Sequence, residues 1–257
     1  MNHHPDFHVV WLKYKIKDSV NVSWNVPEPL IHETSLVKFT LELKELLCEL
    51  KVHCSTETEA MGIVEPIIRN WELVSDLKGN VGDFRLEFIK SEIIDRNPRL
   101  PGSVFIVATS GMAIVTGFDA VLCLTKCKYP DPPTSFSITP DVESLWMRYK
   151  GYLDGKEPLL AMAYYCFTNI KSICGSIEAV SIKYNIDKKV LKKLSELSSV
   201  KGDTQSARKH YGNNMVPLSD SEKEWINKVI REIILRIGDT RPISSLKKII
   251  MSDFVKI

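Results

Sequence analysis

Arg208, Lys209 and His210, in the segment ARKHYGNN, come nearest in type and spacing to acid–base or phosphate chemistry. A histidine takes and returns a proton near neutral pH, and a neighbouring guanidinium can hold a phosphate while it does so. His210 is the only histidine of the C-terminal half, so His210 and Arg208 are the catalytic candidates if the chain is an enzyme. The same letters also suit a solvated polar loop. The familiar local signatures are missing: no GxGxxG, no GxxxxGK[ST], no HExxH and no GxSxG. That argues against the common nucleotide-binding, zinc-protease and α/β-hydrolase designs.

Cys48, His53 and Cys54 lie close together, and Cys123 and Cys127 stand four positions apart. Four such side chains could hold zinc. Cys48 and Cys123, however, fall in apolar runs, where a reduced cysteine behaves as a small core residue. Cys166 and Cys174 also read as core. With 44% hydrophobic residues the chain has enough apolar material for a core, so the expectation is no metal and no cofactor.

A third constellation is basic. In SIKYNIDKKVLKKLSEL, Ser181 takes the close-packing position of a first helix and Asn185 falls where a tight turn needs a left-handed residue. Ile186, Leu191 and Leu194 then match the buried positions of a helix-turn-helix. The second helix presents Lys188, Lys189, Lys192 and Lys193. With Lys183, Lys201, Arg208 and Lys209 these make eight positive residues against Asp187, Glu196 and Asp203. All but Lys183 are candidates for nucleic-acid contact. Lysine holds phosphates but reads base edges poorly, so such contact is directed at the backbone. The alternative is an amphipathic helix whose lysines only face water.

These segments need elements to position them. The first half reads as strands. Val9 and Trp11, and then Tyr14 and Ile16 with lysines between, make one stretch alternate in part; Val37, Phe39, Leu41 and Leu43 alternate, as do Phe84, Leu86 and Phe88. A change of phase at Leu46–Leu47 fits a bulge or a strand end. Residues 103–127 read as two or three buried strands. One helix interrupts them, from a cap at Ser55 or Thr56 through an apolar stripe to Val74. Pro66 inside it predicts a kink or a fresh start near Val64.

The prolines of KYPDPPTSF mark a boundary. Beyond it the period is helical. Thr139–Pro140 caps one helix, and Pro158 to Gly175 bounds a second that is apolar nearly all round. Ser219 and Glu222 form a capping box for a third, with Trp225, Ile226, Val229, Ile230, Ile233 and Ile237 on its buried face. PISSLKKIIMSDFV predicts a last amphipathic helix. The fold class is therefore α+β: a β-rich N-terminal half with one inserted helix (residues 1–130), then an all-α C-terminal half (residues 139–257).

The segments LAMAYYCFTNIKSICG, YNIDKKVLKKLSELSSVKG and LSDSEKEWINKVIREIILRIGD resemble stretches of uncharacterised bacterial proteins, which imply no activity. A looser resemblance is to the helical HEPN ribonucleases of bacterial defence and toxin systems. That likeness implies an RNA-cleaving site at Arg208 and His210. The family places its arginine four to six residues before the histidine, whereas here the interval is two.

The net charge of +2 excludes polyanion binding by the protein as a whole. No stretch approaches the roughly 18 apolar residues of a membrane span, and the start carries no secretory pattern. The expectation is a cytoplasmic protein with reduced thiols and no membrane role. Its expected function is non-enzymatic: an interaction or regulatory protein whose helical half meets a protein partner, a second copy or a nucleic-acid backbone. A ribonuclease or other hydrolase centred on His210 is the alternative.

Overall fold

The computed structural model describes residues 4–19, 21–97, 104–108, 124–201 and 217–257. The chain divides into two compact units, Met1–Thr134 and Ser135–Ile257.

The first unit is built on β1 (Phe7–Ile16), β2 (Val22–Trp24), β3 (Leu30–Glu33), β4 (Val37–Glu42), β5 (Glu45–Leu50), α1 (Glu57–Lys78), β6 (Leu86–Asp95), β7 (Val104–Ala108) and β8 (Leu124–Lys126). Six strands form one sheet in the order β3-β4-β5-β1-β6-β7, antiparallel throughout, and β2 pairs in parallel with β8. The change of phase near Leu46 is the end of a strand: β4 and β5 are a hairpin joined by Leu43 and Lys44, both at positive φ. That is the handedness a two-residue hairpin turn needs.

Alternation sends Leu12, Tyr14 and Ile16 of β1, Val37, Phe39 and Leu41 of β4, and Leu46 and Cys48 of β5 to one buried face. α1 packs Ala60, Val64, Ile68 and Trp71 into the same core. Trp11 lies off that face. A register shift between Val9 and Trp11 moves it off the buried set, and Lys90 lies over its ring. α1 starts at the expected cap, Thr56, and continues through Pro66 without a fresh start near Val64. Beyond its C-terminus, Arg85 grips the buried Asp76 with both terminal nitrogens, and the Gly82 N–H donates to the same carboxylate at 3.0 Å.

The second unit consists of α2 (Pro140–Leu153), α3 (Leu159–Cys174), α4 (Ile177–Tyr184), α5 (Lys188–Val200) and α6 (Asp220–Gly238). The apolar α3 packs against α2, α4, α5 and α6, as its all-round hydrophobicity requires. Thr139, Ser176, Asp187 and Ser219 cap four of the helices with their side chains, and Ser219 with Glu222 forms the reciprocal capping box. Gly238 ends α6 beneath the Phe136 ring, where a Cβ would lie 2.2 Å from Cε2.

The helix expected from Pro242 does not form. In its place are single 3-10 turns at Ile243–Ser245 and Met251–Asp253, with Ile249 between them in a parallel bridge to Ile186. The Ile249 N–H donates to Asn185 O and its carbonyl accepts from Asp187 N–H, so its backbone groups are spent on another part of the chain. Leu246 and Ile249 are buried there. Tertiary burial has overridden a helical pattern.

Candidate nucleic-acid interface

The turn between α4 and α5 is three residues long. Asn185 closes α4 in the left-handed region, at φ 50° and ψ 49°, and its N–H donates to Ser181 O. Asparagine is one of the few residues other than glycine that visit this region at modest cost. The Ser181 hydroxyl donates to Ile186 O at 2.6 Å. Ile186 is wholly buried, and Asp187 opens α5 by accepting the Lys189 N–H. A helix of eight residues, a tight turn with one left-handed residue and a second amphipathic helix are the local parts of the helix-turn-helix pattern expected from the sequence.

α5 buries Val190, Leu191, Leu194, Leu197 and Ser198 against the unit. Lys188, Lys189 and Lys192 are exposed on its other side, and Lys193 is half-buried. Lys188 pairs with Glu178 at 3.5 Å and Lys193 with Glu196 at 3.1 Å. Lys192 and Lys189 act through space on Glu178 and Asp187. Exposed pairs of this kind are worth about 0–1 kcal/mol, so a phosphate can displace them. Lys201 is placed differently. Its ammonium lies 2.6 Å from Glu222, inside the capping box of α6. Burial works against the charged form of Glu222, but Lys201 and the Ser219 N–H outweigh it and hold the carboxyl below its ordinary value. Arg208, Lys209 and His210 lie outside the described residues.

Two lysines join the group that the linear sequence does not connect to it. The bridge between Ile186 and Ile249 sets Lys247 and Lys248 beside the start of α5, with Lys248 3.3 Å from Asp187. The Lys189 N–H and Lys248 hold the Asp187 carboxyl below its ordinary value against a smaller burial cost. Arg236 of α6 fixes this arrangement. Its guanidinium donates to Tyr184 O at 2.9 Å and to Lys247 O at 2.7 Å, tying turn and C-terminal segment together. The sequence does carry a local signal for the added pair, the doublet in SSLKKII, but nothing in it says where that doublet folds.

Ile182 is 77% exposed on α4, one turn beyond the Glu178 that meets Lys188. An apolar side chain standing among lysines can pack on a sugar or on a thymine methyl. Among the described residues the face thus offers ammonium groups, the carboxylates of Glu178, Asp187 and Glu196 that pair with them, and one exposed apolar side chain. It can hold phosphates and has little means to tell bases apart.

Among the described residues the thiols and imidazoles do not form a second centre. Cys48, Cys54 and Cys166 are buried, and burial raises all three thiols, Cys166 to about 12. A buried, protonated thiol is a poor nucleophile. Cys123 lies outside the described residues. No group of three or more His, Cys, Asp or Glu side chains among the described residues converges as a metal site would require. No helix among them is long and apolar enough to cross a membrane.

No protein-family model matches this chain, and no curated protein or solved structure matches it.

Proposed function

We propose that the helical unit is a nucleic-acid-binding module that grips the phosphate backbone, without catalysis, through α5 and the C-terminal segment beside it. The observation that carries this reading is the locked turn at Asn185. It presents Lys188, Lys189 and Lys192 from one stretch of chain next to Lys247 and Lys248 from another. Lysines from two segments can follow phosphates on both sides of a turn, which a merely solvated helix face has no need to do. The chemistry favours binding that is salt-sensitive and nearly blind to sequence. A regulatory or architectural role in the cytoplasm accords with it.

The test is a salt titration of binding to duplex DNA and to RNA of several sequences. Each phosphate neutralised should steepen the fall of log affinity with log salt by about 0.9 for duplex DNA. Lys189→Glu with Lys192→Glu should weaken every sequence alike and flatten that slope by about one to two units. Absence of salt-sensitive binding near physiological salt would sink the reading. Sharp discrimination between sequences would overturn the backbone-only part of it.

A further inference from the structure

A separate cleft of 480 Å³ lies between α2, the loop that follows it and α3. Arg148 and Tyr165 form one wall. The guanidinium carbon lies over the Tyr165 ring, 4.3 Å from its centroid. The Tyr165 hydroxyl shares a 2.7 Å hydrogen bond with Ser144, also in the cleft lining, and the Asn169 amide donates to it at 3.5 Å. The Ser144 bond is the main reason that this phenol sits below its ordinary value. Lys156 brings a second cation to the rim.

Opposite stands Glu157, whose side chain is only 16% exposed. Its two oxygens lie 3.4 and 3.5 Å from one Arg148 nitrogen. Both distances exceed the ~2.7–2.9 Å of a charge-assisted bond. The guanidinium thus rests against an aromatic ring and is loosely held by Glu157. The planar guanidinium of arginine suits bidentate recognition of a carboxylate or phosphate. Glu157 holds the place that an incoming oxyanion would take.

From this geometry we infer that the cleft binds a small organic oxyanion, a carboxylate or a phosphate ester. Arg148 and Lys156 take the charge and the Tyr165 and Ser144 hydroxyls take the remaining oxygen. Met147, 58% exposed on the lining, packs on an apolar part of the ligand. Glu157 is a built-in competitor that keeps the empty site neutralised. Binding here does not depend on the lysine face, and the probes below contain no nucleic acid.

The full chain, labelled with nitrogen-15, is titrated with phenyl phosphate and separately with benzoate. The Arg148 Nε–H and Gly151 N–H resonances are followed. Saturable shifts are expected with at least one probe, and which probe works tells phosphate from carboxylate. Arg148→Gln should weaken binding about tenfold or more, and Glu157→Gln should tighten it by about threefold or more. The opposite signs separate this site from unspecific attraction to a basic surface. Gly151→Leu fills the cleft without changing charge, and a Cβ there has room, its nearest neighbour being Glu157 at 3.7 Å. That variant should abolish the shifts while the protein stays folded. The proposal fails if neither probe saturates below about 10 mM. It fails equally if Arg148→Gln or Gly151→Leu binds as well as the parent, or if Glu157→Gln weakens binding.

Discussion

The side-chain amide of Asn185 donates to the carbonyl of Leu246 at 2.8 Å, joining the turn between α4 and α5 to a segment 61 residues further along the chain. Asn185 therefore has two tasks, a left-handed backbone and a long-range hydrogen bond. Its replacements should separate them. Asn185→Gly keeps the backbone and loses the bond, at about 0.5–1.5 kcal/mol. Asn185→Ala loses the bond and adds left-handed strain of about 1–2 kcal/mol. Urea titration should rank the parent first, glycine second and alanine last. Equal midpoints for the two variants would show that the left-handed turn is not what selects asparagine.

The same link predicts that Lys247 and Lys248 belong to the basic face. Lys247→Glu with Lys248→Glu should flatten the salt dependence of nucleic-acid binding by about one to two units, as reversal of the α5 pair does. Stability should change little, because the side chains are 80% and 50% exposed. Leu191→Ala should behave in the opposite way and lower stability by about 2–5 kcal/mol, since Leu191 is wholly buried. A C-terminal pair whose reversal leaves binding untouched would restrict the interface to α5.

Trp225 anchors α6 with no exposed surface and with its ring edge-on to Phe254. Trp225→Ala should cost about 3–5 kcal/mol. The indole N–H is buried without a hydrogen-bond partner among the described residues. Trp225→Phe removes that donor and should therefore cost well under the alanine change, because a stranded donor carries about 1–3 kcal/mol. Denaturant midpoints give both values. A phenylalanine variant as damaged as the alanine one would mean that the N–H is satisfied in solution.

Glu222 predicts an acid-sensitive unit. Its folded pKa lies below the value of 4.5 expected for an unperturbed glutamate. The stability it contributes is present above about 4.5, the unfolded value, and is lost as pH falls through the folded one. Lys201→Met removes the ammonium that favours the charged carboxylate, so the loss on acidification should shrink. Thermal melts between pH 7 and pH 3 on parent and variant measure this. An unchanged pH profile in Lys201→Met would show that the Ser219 cap alone holds the carboxylate.

Arg85→Met should cost about 3–5 kcal/mol in the sheet unit, because it strands the buried Asp76 charge. Asp76→Leu with Arg85→Met should recover much of that loss, since the stranded charge is then gone. A double variant as unstable as the single one would assign the cost to the loop geometry held by the Gly82 N–H.

Much of the local structure was legible because local chemistry decides it. The caps at Thr139 and Ser219, the stop at Gly175 and the left-handed Asn185 each answer to neighbours within a few residues. The strand faces of Val37, Phe39 and Leu41 follow from a period of two. The α+β class follows from where that period gives way to 3.6. Local readings failed where the deciding atoms lie far away in sequence. Pro66 was expected to kink α1 or restart it near Val64; there is no fresh start, and Val64, Ile68 and Trp71 on either side of it pack into one core. The alternation of β1 changes phase between Val9 and Leu12, where a register shift against β6 leaves Trp11 off the buried face.

The composition of the candidate interface was set by sequence alone: lysines on one side of α5, leucines and a valine on the other, and a turn residue able to go left-handed. Its extent was decided by tertiary structure. The last segment has helical periodicity, and nothing within it forbids a helix. It gives up that helix because Leu246 and Ile249 are buried only by leaving it, and because the carbonyls and N–H groups of Asn185 and Asp187 are there to pair with its backbone. Arg236, a residue of α6 without any local signal, closes the arrangement. Hydrogen bonds between segments some sixty residues apart have no signature in the periodicity of either one, so only the folded chain could bring Lys247 and Lys248 to α5.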